Sequence, residues 1–264
     1  MNNSGIKNIR KKILRVTNSS KTSHVGSCLS IVEILYVLYF KVLRVDPGQP
    51  EKWERDKFIL SKAHASVALY STLSERGFFP DEILEKFHIN DGILPGHLEK
   101  GIVPGIETSG GSLGHGLSIG VGMAIANKID KNPGHIYVLL GDGECNEGSV
   151  WEAVMLASTL KLNNITGIVD FNKLQSYGRT NEVINQKNMV KRWNVFGWDS
   201  YEVNGHDINE IEKVLRFPHN KPKAIIAHTI KGKGISFMED RLEWHYKSPN
   251  DNELFKAIQE LDKK

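Results

Sequence analysis

The chain has 264 residues, enough for one large α/β domain or two small ones, since about 150 residues per domain is only a guide. Its 40% hydrophobic and 25% charged residues are ordinary for a globular protein, and a net charge of +3 without a basic-aromatic patch argues against nucleic acid. Cys28 and Cys145 supply neither a disulfide framework nor a metal-ligand pair, and no stretch reaches the ~18 apolar residues of a membrane helix, so the cytoplasm is the expected compartment.

No acidic residue precedes Glu33, while Lys7, Arg10, Lys11, Lys12 and Arg15 are basic, a bias shared by transit peptides. Ile6, Ile9, Ile13 and Val16 recur at helical spacing, so an amphipathic first helix over 7–19 explains the same residues. The motif starting at Thr22 leaves little room for a removable leader. Further helical patterns cover 30–45, 65–76 and 81–87, the last two separated by Gly77 and Pro80, with a short strand at 58–60. Residues 88–112 are rich in Gly and Pro with little periodicity and read as a long loop, of the kind that is usually functional. A helix of small apolar residues follows over 113–130. Buried strands are expected at 135–140 and 165–171, with a helix over 147–161 between them. Strands at 198–203 and 223–229 flank a helix over 208–217, and a last helix spans 252–261. Strands alternating with helices predict a mostly parallel sheet with helices on both faces, as a single domain over 1–264.

Gly141-Asp142-Gly143-Glu144 closes the strand at 135–140, and Asn172 lies just past the strand at 165–171. A carboxylate and an amide therefore emerge at one edge of a parallel sheet, where open α/β folds bind ligands. Such hard oxygen ligands suit Mg²⁺ shared with a phosphate-bearing molecule, and the flanking glycines let the backbone approach a diphosphate. Residues 144–171, 28 in all, separate Gly143 from Asn172, the spacing of the thiamine diphosphate signature.

Four of the ten histidines lie in glycine- or serine-bearing loops or strand ends: His24, His64, His97 and His245. None is paired at zinc-site spacing, whereas imidazoles suit sugar hydroxyls and phosphate oxygens near neutral pH. By spacing alone Glu147 and Glu152 are acids in the first turns of a helix, where its dipole favours them. Lys231-Gly232-Lys233-Gly234 suggests a phosphate-binding turn but lacks the Walker pattern, and Cys145 has no identifiable base beside it.

Taken in order, these motifs resemble the N-terminal, cofactor-diphosphate-binding domain of transketolase, in the form split over two polypeptides. The matching segments are Ser23-His24-Val25-Gly26, Leu60-Ser61-Lys62-Ala63-His64-Ala65, Pro95-Gly96-His97, Gly111-Ser112-Leu113-Gly114, Gly141-Asp142-Gly143-Glu144, Asn172-Lys173-Leu174-Gln175, Lys231-Gly232-Lys233-Gly234 and Trp244-His245. The resemblance implies a thiamine diphosphate-binding fold. It implies transfer of a two-carbon ketol unit from a ketose to an aldose, both sugars or sugar phosphates, through a thiamine diphosphate carbanion. Asp142, Asn172 and the Leu174 carbonyl would bind Mg²⁺ (or Ca²⁺). The Gly143 amide, His64 and His245 would hold the diphosphate, with Gly141, Glu144 and the Gly114 loop beside it. His24 and His97 would face the thiazolium and the sugar, and Glu147 would sit at a subunit interface in a proton relay, with Glu152 the other candidate for that place. His24, His64, His97, His245 and Glu147 form the implied catalytic set.

Val25, Ala63, His115 and Tyr246 stand where the family commonly has Pro, Gly, Gln and Gly, departures that bear on substrate preference more than on cofactor binding. The family also needs a glutamate from a pyrimidine-binding domain, and the 92 residues after Asn172 are used up by the remaining elements. A C-terminal partner subunit carrying that glutamate is therefore expected, in a paired α2β2 assembly. The α subunit of a thiamine diphosphate-dependent 2-oxo acid dehydrogenase or decarboxylase shares the metal-diphosphate motif and is the alternative enzyme; a non-catalytic cofactor-binding module is the other alternative.

Overall fold

The computed structural model describes residues 4–263. Its central sheet has five strands, all parallel: β1 (Lys57–Leu60), β2 (Ile136–Gly141), β3 (Ile165–Phe171), β6 (Asp199–Asn204) and β7 (Lys223–His228), in the order β1-β2-β3-β7-β6. The first three strands step across the sheet in chain order. The chain then jumps to the far edge for β6 and returns to β7, so the winding reverses beside β3. Ligand crevices form at such a reversal, outside the carboxyl ends of the strands. The register aligns Gly141 with Asp170 and Phe171 with His228, which brings the ends of β2, β3 and β7 to one level.

The strands alternate between two cores, as a period of two requires. Ile136, Val138 and Leu140 of β2 pack with Leu117, Val121 and Ala124 of α5 (Gly116–Ile129) and Val150, Ala153 and Val154 of α6 (Gly148–Thr159). Tyr137 and Leu139 face the other core. That core is covered by α1 (Ser4–Ser20), α2 (Val25–Leu29), α3 (Val32–Val37), α4 (Ser66–Arg76), α9 (Ile208–Arg216) and α10 (Asp251–Lys263). Each aliphatic side chain buried in this way contributes roughly 1.5–3 kcal/mol on leaving water.

The single helix expected over 30–45 is broken. Ile31 leaves helical geometry (φ −108°, ψ 7°) between α2 and α3, and α3 then widens into a π-helical turn, Leu38–Val42, ending where Leu43 turns extended. Pro47 disfavours helix at the residue before it, which is consistent with the early stop. The segment over 81–87 forms a 3-10 helix, Asp81–Lys86. Between β3 and β6 lie four small elements without a sequence signal: the antiparallel pair β4 (Leu174–Gln175) and β5 (Gly178–Arg179), α7 (Thr180–Val183) and α8 (Met189–Val195). α8 buries only Met189 and Trp193, one helical repeat apart, which is too short a stripe for periodicity to reveal.

Candidate active site

Four loops meet over the carboxyl ends of β1, β2, β3 and β7. The turn after β1 carries Ser61, Lys62 and His64. Asp142 caps the 3-10 turn Gly143–Asn146 that follows β2. Asn172 follows β3, and Lys231 follows β7.

Asp142 is 3% exposed. Its Oδ1 accepts the Gly143 amide at 2.7 Å, and its Oδ2 accepts the Lys173 amide at 2.7 Å and the Thr180 hydroxyl at 2.9 Å. Burial, reinforced by the nearby Asp170 carboxylate, raises its pKa above the usual carboxylate range. The Asn172 side-chain NH₂ donates to Asp170 Oδ2 at 2.9 Å, which orients its Oδ1 to accept the Leu174 amide at 3.0 Å. The Leu174 carbonyl accepts from the Lys231 ammonium at 3.0 Å, and that ammonium also lies 2.7 Å from His245 Nδ1. Asp142, Asn172 and Leu174 thus stand together, whereas the Gly143 amide turns to the Asp142 carboxylate.

Glu144 plays a different part from its neighbours. Both its oxygens are spent on the protein: Oε1 accepts the Ser61 hydroxyl and the Gly114 amide (2.9 Å), and Oε2 accepts the Gly141 amide (3.0 Å). It ties the ends of β1 and β2 to the loop before α5. Glu147 stands at the N-cap position of α6 without a side-chain capping hydrogen bond and is exposed, as is Glu152.

His24, in a left-handed conformation (φ 74°), has its ring 5.1 Å from those of both His64 and His245, which are 6.1 Å apart. The His24 amide donates to the His245 carbonyl at 2.9 Å, locking two segments far apart in sequence. Gly26 makes that approach possible, because a Cβ there would come within 3.0 Å of the Lys231 side chain and 3.1 Å of the Trp244 carbonyl. His97 joins from the long loop: with His24, His64, Ser66 and His88 it lines a cavity of about 290 Å³. Burial, then neighbouring His97, Lys231 and Lys62, pushes His24 down to about 4. Burial and Lys231 push His245 down to about 3, and burial with Lys62 carries His64 in the same direction. These three imidazoles are neutral at pH 7. Among the described residues no three His, Cys, Asp or Glu side chains gather into a metal cluster.

Two more charged residues stand at the centre of the site: Asp170, with no motif around it, and Lys231, at the head of the Lys231-Gly232-Lys233-Gly234 turn. Asp170, fully buried within β3, accepts from Lys62 (2.6 Å), Ser30 (2.8 Å), Asn172 and Thr229. Burial opposes its charge, but the Lys62 ammonium and these hydrogen bonds outweigh it and hold its pKa below the usual range. A carboxylate inside an apolar strand is costly unless paired, and that is the one signal the sequence offers for it. Lys231, 1% exposed, forms no ion pair with a carboxylate among the described residues, and burial lowers it to about 8. Beside it the Gln175 side chain lies against Gly143, where a Cβ would meet it at 2.9 Å, and its buried Nε2 has no protein partner.

A buried ammonium without a carboxylate partner and an orphaned amide donor, beside the Asp142, Asn172 and Leu174 oxygens, fit a diphosphate. Such a strand-edge site defines an α/β domain that binds a diphosphate cofactor. The family model described as transketolase, thiamine diphosphate binding domain, matches residues 1–261. An apulose-4-phosphate transketolase chain of Phocaeicola vulgatus, named as one subunit of that enzyme, is 42% identical over 260 residues, covering 97% of this chain and 92% of that protein. The 6-deoxy-6-sulfo-D-fructose transketolase subunit SqwG of a Clostridium species is 38% identical over 258 residues, covering 97% and 94%. The crystal structure of transketolase from Campylobacter jejuni superposes with a TM-score of 0.88 at 31% identity, covering 98% of this chain and 42% of that one. The present chain spans about two fifths of the length of that transketolase. The chain belongs to the transketolase family and carries its thiamine diphosphate-binding domain. It is an enzyme chain of the transketolase type.

Proposed function

We propose that this chain is the N-terminal subunit of a two-chain transketolase, a single domain that moves a two-carbon ketol unit from a ketose or ketose phosphate to an aldose or aldose phosphate. The observation that carries this reading is the buried Lys231 ammonium, without a carboxylate partner, set between His245 and the Leu174 carbonyl beside Asp142 and Asn172. Asp142, Asn172 and the Leu174 carbonyl would hold Mg²⁺ (or Ca²⁺), since hard oxygen donors of this kind suit such a cation. His64, His245 and Lys231 would hold the diphosphate, beside the Gly114 loop and the Gly141–Glu144 turn. When bound, thiamine diphosphate supplies the carbon–carbon bond chemistry next to a ketose carbonyl. His24, His64 and His245, neutral at pH 7, accept and return protons at the sugar oxygens, and His97 completes the cavity wall; such acid–base help is worth typically about 10²–10⁴-fold.

The relatives named as single subunits of a transketolase support a partner chain, which we propose supplies the pyrimidine-binding domain and its glutamate. The outward faces of α5 and α6 expose Ile119, Ile129, Met155, Leu156 and Leu160 beside Glu147 and Glu152, an apolar surface suited to that docking within an α2β2 assembly. Among the described residues no helix is long and apolar enough to cross a membrane. The proposed compartment is the cytoplasm, and sugars rather than nucleic acid are the proposed ligands.

The test is ketol transfer by the co-purified pair, with Asp142→Ala as control. The wild type is expected to bind thiamine diphosphate with Mg²⁺ and turn over a ketose, and the variant to do neither. Turnover of a 2-oxo acid but no ketose would move the chain to the dehydrogenase α subunits.

A further inference from the structure

The turn Leu242–His245 delivers His245 to the site and then places one more side chain beside it. The turn is anchored from both sides. The Trp244 indole, 1% exposed, donates to the Phe237 carbonyl at 3.1 Å, and the Lys247 ammonium lies 4.4 Å from the centre of its ring. The Tyr246 and Lys247 amides both donate to the Glu243 carbonyl, at 3.3 and 3.0 Å, and the His245 carbonyl is held by His24.

From this fixed backbone the Tyr246 ring stands edge-on to His245, 4.7 Å between centroids, and tilted 6.2 Å from His24. It is 60% exposed, and among the described residues its hydroxyl has no hydrogen-bond partner. Core packing does not account for a large aromatic left mostly in solvent. A tyrosine on a rigid turn at a site's mouth offers a flat apolar face and a hydroxyl that both donates and accepts, and it loses little conformational entropy on engaging a ligand. A sugar presents the complementary surface, C–H faces alternating with hydroxyls.

We propose that Tyr246 is a specificity-determining residue: its ring and hydroxyl contact the sugar chain beyond the two carbons that are transferred. The inference rests on the transketolase reading of the site. Because the contact is with the part of the donor that is released, it weights donors by the carbons beyond the ketol unit, and leaves cofactor binding unaffected.

The experiment compares two donors in the assembled two-chain holoenzyme: D-xylulose 5-phosphate, and hydroxypyruvate, which carries the ketol unit with no sugar chain after it. Tyr246→Gly is expected to raise KM for the ketose phosphate about tenfold with kcat little changed, and Tyr246→Phe to raise it about threefold, while KM for hydroxypyruvate stays at the wild-type value. Thiamine diphosphate affinity, read from quenching of tryptophan fluorescence, is expected to be unchanged in both. Equal KM changes for the two donors, or no change, would overturn the proposal. Weakened cofactor binding would overturn it as well, by showing that the ring braces His245 instead. A wild-type complex inactive with both donors would overturn the transketolase reading and this inference with it.

Discussion

In the folded chain the imidazoles of His24, His64 and His245 share one buried space with the Lys62 and Lys231 ammonium groups, and that company sets their chemistry. His24 titrates at about 4 in the fold and near the ordinary histidine value of 6.5 when unfolded, so the unfolded chain binds the extra proton first. Its contribution to stability is therefore complete above about pH 6.5 and declines as the pH falls toward 4. Urea unfolding across that window is expected to show a smaller acid loss for His24→Gln than for wild type, and parallel curves would refute this. The Lys62–Asp170 pair gives a second test. Lys62→Met leaves a buried carboxylate uncompensated and is expected to cost about 3–5 kcal/mol, measured by denaturant unfolding. At this scale the motif residues are legible in the sequence because each sits in a short local pattern. Asp170 is not, because its meaning lies in a partner 108 positions away.

Among the elements, those with long apolar periods are readable nearly to their ends. The expected strand over 165–171 coincides with Ile165–Phe171, and the expected helix over 208–217 ends one residue beyond Ile208–Arg216. The Asp207 side chain accepts the Asn209 and Glu210 amides at the start of that helix, so Asp207→Ala is expected to cost about 1 kcal/mol in a thermal or urea melt, with the site unaffected. The elements that escape, α2, β4, β5, α7 and α8, are between two and seven residues long. They are held by tertiary contacts such as the hydrogen bond from Thr180 to Asp142 and the burial of Trp193. Too short for their own propensity to stabilise them, they leave no period to detect. The β4–β5 pair nonetheless places Gln175 against Gly143.

For the whole molecule, the sheet order brings residues 24, 64, 97, 142, 172, 231 and 245 to one edge while leaving the α5–α6 face apolar and open. If that face docks the partner subunit, Met155→Glu combined with Leu156→Lys should abolish co-elution of the pair on size-exclusion chromatography while the isolated chain keeps its circular dichroism spectrum. Persistence of the complex would place the interface elsewhere. The amino-acid sequence by itself determined the α/β class and the family likeness, because hydrophobic period and short motifs are local properties of a chain. Only the tertiary structure decided that Glu144 is a strut spent on backbone amides, that Lys231 and Lys62 stand among the histidines, and that Tyr246 faces solvent beside His24 and His245. Those facts depend on burial and on contacts between segments up to about 220 residues apart, which no local pattern encodes.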